Sequence, residues 1–232
     1  MDFIELDAIE NSLMQRHSSN LDKIISNLSD RKFKNLLLQR RWTSYAFTPL
    51  YDFAIDSMAN EKTKQILRKI RNEEYPANIP SHREDLVHDL MTIGINLKNI
   101  VNTVQSEETF SVIAKEFNFL KIRETQELHD IKALAFLRFN LEILVSVEYG
   151  VFIKRLENLG LSKKNSKFYW PHYIHDMKRC PIGAGSHSGT HSDRLAQTLA
   201  EILDSGTKIQ FCMKITEASY KLRSEVFNQF KR

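Results

Sequence analysis

The sequence lacks any long apolar run and contains few cysteines. No stretch of about 18 apolar residues occurs, so we predict no transmembrane helix. The first residues, MDFIELDAIENS, are acidic and lack the basic region and the apolar stretch of a signal peptide. The two cysteines, Cys180 and Cys212, are too few for a disulfide framework. We therefore expect a soluble, cytoplasmic protein whose two cysteines are thiols.

Glycine and proline, the residues that most often end helices and form turns, are also scarce. There are seven glycines and five prolines among 232 residues, and no glycine precedes Gly94. Long helices tolerate this scarcity, whereas a β-rich chain with many turns would need more of both residues. The hydrophobic fraction of 42% suffices for one sizeable core. The sequence therefore predicts a single all-α domain over residues 1–232, with a core between about residues 30 and 225.

Charges of both signs are mixed along the chain. The 33 Lys and Arg residues and the 29 Asp and Glu residues leave a formal net charge of +4. Nucleic-acid binding calls for basic side chains concentrated on one face, but only short clusters such as Lys163–Lys164 occur. We therefore expect neither nucleic acid nor a membrane as a partner.

The spacing of apolar residues follows the helical period almost throughout the chain. Ser81–Glu84 and Thr190–Asp193 have the sequence of capping boxes, which open helices. The only glycine-rich loop covers residues 180–189. Together these signals predict eight or nine helices, at about Phe3–Leu28, Lys32–Met58 with a kink at Pro49, Glu61–Glu74, Ser81–Val104, Glu107–Phe117, Glu124–Asn158, Asn165–Lys178, Thr190–Asp204 and from Gly206 to the C-terminus.

Histidines are concentrated in one part of the sequence. Four of the eight, His172, His175, His187 and His191, fall within 20 residues. Histidine is the commonest side-chain metal ligand. His172 and Asp176 are four residues apart, so a helix places them on one face. Such a pair can bind one ion inside a helical bundle, although the same spacing also suits an exposed ion pair.

Glu142 lies in an apolar segment, Phe139-Asn-Leu-Glu-Ile-Leu-Val145. A buried carboxylate is costly unless it is paired or bound to a metal ion. We therefore predict Glu142 as a metal ligand, and the alternative is a helix that turns this side chain to water. Glu148, the next acidic residue, is a weaker candidate.

A third group of candidates flanks the proline-containing link between the third and fourth predicted helices. Glu73 and Glu74 end one helix and His82 begins the next, so a carboxylate and an imidazole can converge there. Glu84 and His88 form another pair four residues apart, but Glu84 is already required by the capping box. The sequence has no nucleophile elbow, phosphate-binding loop or zinc-knuckle spacing of cysteines.

In their order along the chain, these motifs resemble the haem-oxygenase-like diiron oxidases and oxygenases, a family related to thiaminase-like and PqqC-like helical proteins. The family pattern is a Glu, a His several residues later, a second Glu on a long helix, and then His-x3-Asp-x2-His. The segment Arg71-Asn-Glu-Glu-Tyr-Pro76 resembles the first acidic motif and is followed by His82. Glu142 resembles the second Glu, and His172-Tyr-Ile-His-Asp176 resembles the start of the last motif.

The last motif departs from the family pattern in one respect. Arg179 occupies the position three beyond Asp176, where the family has a His. We interpret the glycine-rich loop as an insertion of about 12 residues within the motif. His191 is then the displaced ligand, and His187 is the alternative.

The resemblance implies two Fe(II) ions per chain. Carboxylates and imidazoles without thiolate suit Fe(II) or Mn(II). The first ligand is either Glu73 or Glu74, and the register against the apolar Ile70 favours Glu73. The candidate ligands are Glu73, Glu74, His82, Glu142, His172, Asp176, His187 and His191.

The implied activity is that of a non-haem diiron oxidoreductase that uses dioxygen. By resemblance, its substrate is a small amino-acid-like compound, such as an aromatic amino acid or a tryptophan derivative. The implied reaction is nitrile formation or another oxidation at C–C or C–N bonds, in natural product biosynthesis. A homodimer is also implied. Two alternatives stay open, namely a metal-free thiaminase-like or PqqC-like helical enzyme and a non-catalytic helical protein that binds a partner.

Some side chains are candidates for the substrate pocket. Arg41 and Arg138 are cations that suit a substrate carboxylate, and the sequence does not distinguish between them. Aromatic residues suit an aromatic substrate, although core packing is their commoner role. The aromatic candidates are Trp42, Tyr45, Phe47, Phe136, Phe139 and Tyr169.

Overall fold

The computed structural model describes residues 3–74, 81–184 and 189–231. Within these ranges every regular element is helical and no strand is present, which confirms the predicted all-α class. The described elements are α1 (Ile4–Ser26), α2 (Asp30–Tyr45), α3 (Phe47–Ser57), α4 (Glu61–Glu74), α5 (His82–Thr92), α6 (Leu97–Asn102), α7 (Glu107–Lys121), α8 (Gln126–Phe136), a π-helical segment (Leu137–Ile143), α9 (Leu144–Asn158), α10 (Tyr169–His175), α11 (His191–Ile202), α12 (Gly206–Glu225) and a 3-10 turn (Asn228–Phe230).

The prediction of a single helix over residues 32–58 is wrong, because the structure has two helices there. α2 ends at Tyr45 and α3 begins at Phe47, with Ala46 between them. Pro49 is not the cause of the break. It is the third residue of α3, within the first turn, where backbone N–H groups have no intrahelical partner. The break separates two helices that both contribute to the site described below.

The prediction of a single helix over residues 81–104 is also wrong, because α5 ends before Gly94 and α6 begins after it. Gly94 adopts a φ of +79°, a left-handed conformation that favours glycine. The N–H of Ile95 donates to the carbonyl oxygen of Leu90 at 3.1 Å, which closes the last turn of α5. These two breaks, together with the π-helical segment that separates α8 from α9, raise the number of described helices above the predicted eight or nine.

Both predicted capping motifs open a helix. The backbone N–H of Ser81 donates to the Glu84 carboxylate at 2.7 Å at the start of α5. The hydroxyl of Thr190 accepts a backbone N–H at 3.3 Å at the start of α11. Because α5 begins with His82 and α11 begins with His191, each cap fixes the backbone of a candidate metal ligand.

A continuous helical rod, formed by α8, the π-helical segment and α9, runs through the centre of the bundle. All residues from 129 to 146 are buried, including charged side chains such as Arg138 and Glu142. The helices α1, α10, α11 and α12 pack against this rod. The π-helical segment adds one wide turn in its middle, and such turns often occur at functional sites.

The apolar core extends beyond residues 30 and 225. Leu6 and Leu21 of α1 are buried, and so are Val226 and Phe227 after α12. α1 packs against both α9 and α12. Among the helices of the described ranges, none combines the length and the apolar composition that crossing a membrane requires.

Candidate metal centre

Glu74, the last residue of α4, lies beside two imidazoles from other helices. Its Oε2 is 2.5 Å from Nδ1 of His82 and 3.4 Å from Nε2 of His172. Glu74 and His172 are buried, whereas the His82 side chain is partly exposed. One candidate ligand atom from each residue lies within 4.8 Å of the other two. This first cluster therefore has the spacing at which three side chains can bind one ion.

A second cluster joins the π-helical segment to the ends of two further helices. Glu142 lies in the π-helical segment, Asp176 directly follows α10, and His191 begins α11. All three are buried. Nδ1 of His191 is 3.3 Å from Glu142 Oε2 and 3.4 Å from Asp176 Oδ1. Their ligand atoms again lie within 4.8 Å of one another.

The carboxylate of Glu74 connects the two clusters. Its Oε2 faces His82 and His172, and its Oε1 lies 3.9 Å from Nδ1 of His191. One carboxylate therefore presents its two oxygens to two neighbouring sets of ligand atoms. A carboxylate in this position would be available to ions in both clusters, and the other candidate ligands come from facing helices, as in dimetal carboxylate bundles.

Glu73, which the register against Ile70 favoured, lies behind His191 rather than among the clustered ligand atoms. It accepts a hydrogen bond from Nε2 of His191 at 3.1 Å, and Arg194 donates to both of its oxygens at 2.9 and 2.6 Å. The bond from His191, with the Arg194 contacts, lowers the pKa of Glu73 to about 2 against the opposing effect of partial burial. A carboxylate in this position fixes the ring orientation of a ligand histidine.

Three buried carboxylates crowd the two clusters, and the neighbouring pKa values reflect their charge. Burial lowers the pKa of His172, but the charge of Glu74 outweighs it and raises the value to about 9. Burial and Glu142 oppose each other in the same way at His191, whose pKa ends well above its ordinary value. Burial and the charge of Glu142 raise the pKa of Asp176 to about 7. The site therefore demands positive charge, which protonated histidines or bound metal ions can supply.

Asp176 provides a direct test of whether a metal ion fits the second cluster. Its Oδ1 is buried, and its one described polar contact, with Nδ1 of His191 at 3.4 Å, lacks hydrogen-bond geometry, although buried polar atoms are nearly always paired. An ion held jointly with Glu142 and His191 would satisfy this oxygen. The donor set, which contains imidazole and carboxylate but no thiolate, suits Fe(II) or Mn(II).

Tyr51 is a site residue that the sequence analysis missed. Its hydroxyl, buried in α3, donates to Glu142 Oε1. Burial and the charge of Glu142 raise the pKa of Tyr51 well above its usual value, so the phenol stays protonated and remains a donor. A sequence signal exists, because Tyr51 shares the apolar stripe of α3 with Leu50, Ala54 and Ile55.

Asp89, a buried residue of α5, holds the beginning of α10 against α5. Through hydrogen bonds from residues 166–169, its carboxylate fixes the turn before His172 and connects that turn to the helix that begins with His82. Nδ1 of His172 in turn bonds the carbonyl oxygen of Phe168 at 2.8 Å. The donors to Asp89 are the Ser166 hydroxyl at 2.7 Å and the backbone N–H groups of Lys167, Phe168 and Tyr169 at 2.8, 2.9 and 3.1 Å.

Replacing Asp89 by asparagine is expected to destabilise the fold and weaken metal binding by the first cluster. The substitution removes a charged acceptor, and hydrogen bonds to charged groups contribute about 1.5–3 kcal/mol each. We expect the free energy of unfolding in urea to fall by about 2 kcal/mol. Asp56→Asn, at an exposed position of α3, is the matched control. Equal stability of the two variants would contradict the role given to Asp89.

The remaining candidate ligands lie outside both clusters. His175 borders the cleft beside the first cluster, and His88 hydrogen-bonds a neighbouring carboxylate at 3.2 Å. Glu84 serves in the helix cap. Glu148 is buried but is bound by two arginines. His187 lies outside the described residues, so the alternative that it is the displaced ligand stays a prediction.

A cavity borders the first cluster, and Glu74, His82 and His172 all lie in its wall. Two of the aromatic candidates, Tyr45 and Phe47, lie in its wall. Trp42 packs edge-on against Tyr45 with ring centroids 5.7 Å apart. The other candidates, Phe136, Phe139 and Tyr169, are buried in the core. The cavity is also lined by Tyr149 and Phe168.

Neither Arg41 nor Arg138 lines this cavity. Arg41 donates to the carbonyl oxygens of Ile100 and Thr103. Arg138 forms a buried ion pair with Glu10. The arginines in the cavity wall are Arg40, Arg83 and Arg223.

The architecture has known counterparts among solved structures. A domain of unknown function with a haem oxygenase-like fold from Shewanella denitrificans OS217 has a TM-score of 0.70 and 14% identity, over 99% of this chain and 92% of that chain. A TenA family transcription regulator from Silicibacter sp. TM1040 has a TM-score of 0.62 and 13% identity, over 99% of this chain and 96% of that chain. No protein-family model matches the sequence, and no curated protein matches it significantly.

These similarities show the fold. The chain is an all-α protein with a haem oxygenase-like fold. Within that fold it carries two neighbouring carboxylate–histidine clusters that can hold metal ions.

Proposed function

We propose that this protein is a non-haem diiron oxidoreductase that uses dioxygen on a small amino-acid-like substrate. The observation that carries the proposal is the Glu74 carboxylate, whose two oxygens face two separate ligand sets. Ion pairing between a carboxylate and a histidine does not require a carboxylate placed between two clusters. The three buried carboxylates of the clusters also support metal binding, and one of their oxygens, Asp176 Oδ1, has no hydrogen bond among the described residues.

Each iron would have its own ligands apart from the shared one. Glu74, His82 and His172 would hold one ion, and Glu142, Asp176 and His191, with Glu74, the other. When bound, two Fe(II) ions supply the electrons and the coordination positions that dioxygen activation requires. The surrounding side chains position the ligands, with Tyr51 on Glu142 and Glu73 on His191.

The cavity is where we propose that the substrate binds. It borders His82 and His172, and its walls combine aromatic rings with hydroxyl groups and arginines. Such a lining excludes bulk water from the ligands and orients a small organic molecule. We propose an aromatic amino acid or a tryptophan derivative, with nitrile formation or another oxidation at a C–C or C–N bond. A cytoplasmic homodimer acting in natural product biosynthesis is part of the same proposal.

The test is iron binding followed by reaction with dioxygen. The chain is titrated anaerobically with Fe(II) and bound iron is measured by mass spectrometry after desalting. We expect about two ions per chain and an optical change on mixing with dioxygen. Candidate amino acids are then screened for faster dioxygen consumption. Less than about one iron per chain at saturation would overturn the proposal.

A second candidate is a metal-free helical enzyme, favoured by the similarity in fold to a TenA family protein. Such an enzyme would turn over its substrate equally well before and after treatment with a chelator. It would also tolerate substitution of Glu142, whose oxygens contact only Tyr51 and His191 among the side chains with described hydrogen bonds.

A further inference from the structure

Two buried arginines in the cavity wall share a single carboxylate. Arg40 Nε donates to Glu148 Oε2 at 2.6 Å, and Arg223 donates through Nε to Oε1 at 2.6 Å and through Nη2 to Oε2 at 2.7 Å. The Arg40 side chain is 3% exposed and that of Arg223 is 1% exposed. Both line the same cavity as Glu74 and His172.

Where the two arginines meet Glu148, the wall of the cavity carries more positive than negative charge. Two guanidinium groups face one carboxylate, and His17 contacts the same carboxylate at 3.2 Å. The other buried acid near the pair is Glu116, which bonds Asn140 at 2.7 Å and neither arginine. Burial raises the pKa of Glu116, and this favours its neutral form. The other acids of the cavity wall, Glu74 and Asp176, contact histidines rather than the arginines.

Each guanidinium also keeps one nitrogen available. Arg40 Nη1 is bonded to Thr43 Oγ1 at 2.6 Å and to Ser44 Oγ at 2.8 Å, but its Nη2 bonds to no described residue. Arg223 Nη1 likewise bonds to no described residue. Neither nitrogen belongs to the buried unpartnered atoms, and both arginines line the cavity.

We infer that the cavity binds an organic monoanion, a carboxylate with an apolar or aromatic tail, and that Arg40 and Arg223 hold the carboxylate. Guanidinium groups bind carboxylates through paired, charge-assisted hydrogen bonds. The apolar tail would pack on Phe47, Leu141 and Val145, which line the same cavity as the first cluster. That this anion is the substrate rests on the proposed function, whereas the anion site itself does not require a metal ion.

The inference is tested by calorimetry on the full-length, metal-free chain. The probe is 3-phenylpropanoate, and the comparison compound is its neutral amide, 3-phenylpropanamide. We expect the carboxylate to bind at least about tenfold more tightly, because hydrogen bonds to charged groups are stronger than neutral ones. Equal affinity for the two compounds would overturn the inference.

Variants test whether Arg223 is responsible for the preference for the carboxylate. Arg223→Lys keeps the positive charge next to Glu148 but removes the available Nη1, so we expect the preference for the carboxylate to fall to about threefold or less. Arg41→Lys makes the same change outside the cavity and is the matched control. Circular dichroism checks that both variants fold. An unchanged preference in folded Arg223→Lys would assign the anion to another group and overturn the inference.

Iron uptake separates the two proposals. Selective carboxylate binding without iron uptake would retain the anion site and overturn the diiron function. Iron uptake without selective carboxylate binding would do the reverse.

Discussion

Replacing Glu74 by glutamine is expected to remove both bound metal ions, whereas replacing Glu142 by glutamine removes one. Glu74 contributes oxygens to both clusters, and Glu142 contributes to the second cluster alone. An amide binds divalent iron far more weakly than a carboxylate because it carries no charge. We therefore expect iron content at saturation to fall from about two per chain to near zero in Glu74→Gln and to about one in Glu142→Gln.

Glu73→Gln is the control for this experiment. It alters the neighbouring acid, which contacts His191 from the outer side of the ring. We expect it to retain two irons with affinity lowered by about 10–100-fold. If Glu73→Gln lost both ions and Glu74→Gln kept them, the assignment of the bridging carboxylate would be reversed. If none of the three variants lost iron, the clusters would not be metal sites.

Replacing Glu148 by glutamine is expected to lower the free energy of unfolding by about 3–5 kcal/mol, because removing one partner of a buried ion pair leaves the other charges uncompensated. The carboxylate is fully buried between Arg40 and Arg223. Urea denaturation monitored by circular dichroism measures the change. Glu157→Gln, at an exposed position of the same helix, is the control and should be neutral. A loss below about 1 kcal/mol would contradict the role given to Glu148.

The contacts of Glu148 with the two arginines also predict how the stability of the fold depends on pH. Burial would raise the pKa of Glu148, but the charges of Arg223 and Arg40 outweigh it and hold the pKa well below the unfolded value of 4.5. A depressed pKa contributes stability that is complete above the unfolded value and is lost as the pH falls below it. The wild type should therefore lose more stability than Glu148→Gln between about pH 5 and pH 3. Parallel pH profiles would contradict this.

Several candidate ligands are identifiable from their neighbours in the sequence alone. Glu142 was recognised because an acid in an apolar segment demands a partner, and it is fully buried. His172 and Asp176 are predicted together because four residues span about one helical turn, and the structure places His172 in the first cluster and Asp176 in the second. His191 followed from treating the glycine-rich loop as an insertion, and the structure brings it to Asp176 across that loop.

The structure places Glu74 rather than Glu73 in a cluster, and the register of α4 accounts for this. The buried residues of α4 are Thr63, Leu67, Ile70 and Glu74. Their spacings of four, three and four residues continue one helical stripe. Ile70 alone does not decide between its neighbours three and four residues on, but the complete stripe selects Glu74.

The arginine pair could not be predicted, because it depends on contacts between distant parts of the chain. Arg40 lies in α2, Glu148 in α9 and Arg223 in α12. In the sequence each is only a charged residue of a predicted helix, and its sequence neighbours do not indicate that the three side chains will meet. Glu148 was therefore ranked as a weak metal candidate, whereas the packing of three helices makes it the partner of two arginines.

The wide turn at Leu137–Ile143 holds one more residue than an α-helical turn would. Deleting one residue there would allow an uninterrupted α-helix and would leave the orientation of α9 relative to α8 nearly unchanged. α8 is packed on α12, and α9 on α1 and α10, so both halves would keep their neighbours. The local geometry of the turn that contains Glu142 would change. The extra residue therefore determines where Glu142 lies within its turn, rather than how the helices of the bundle pack.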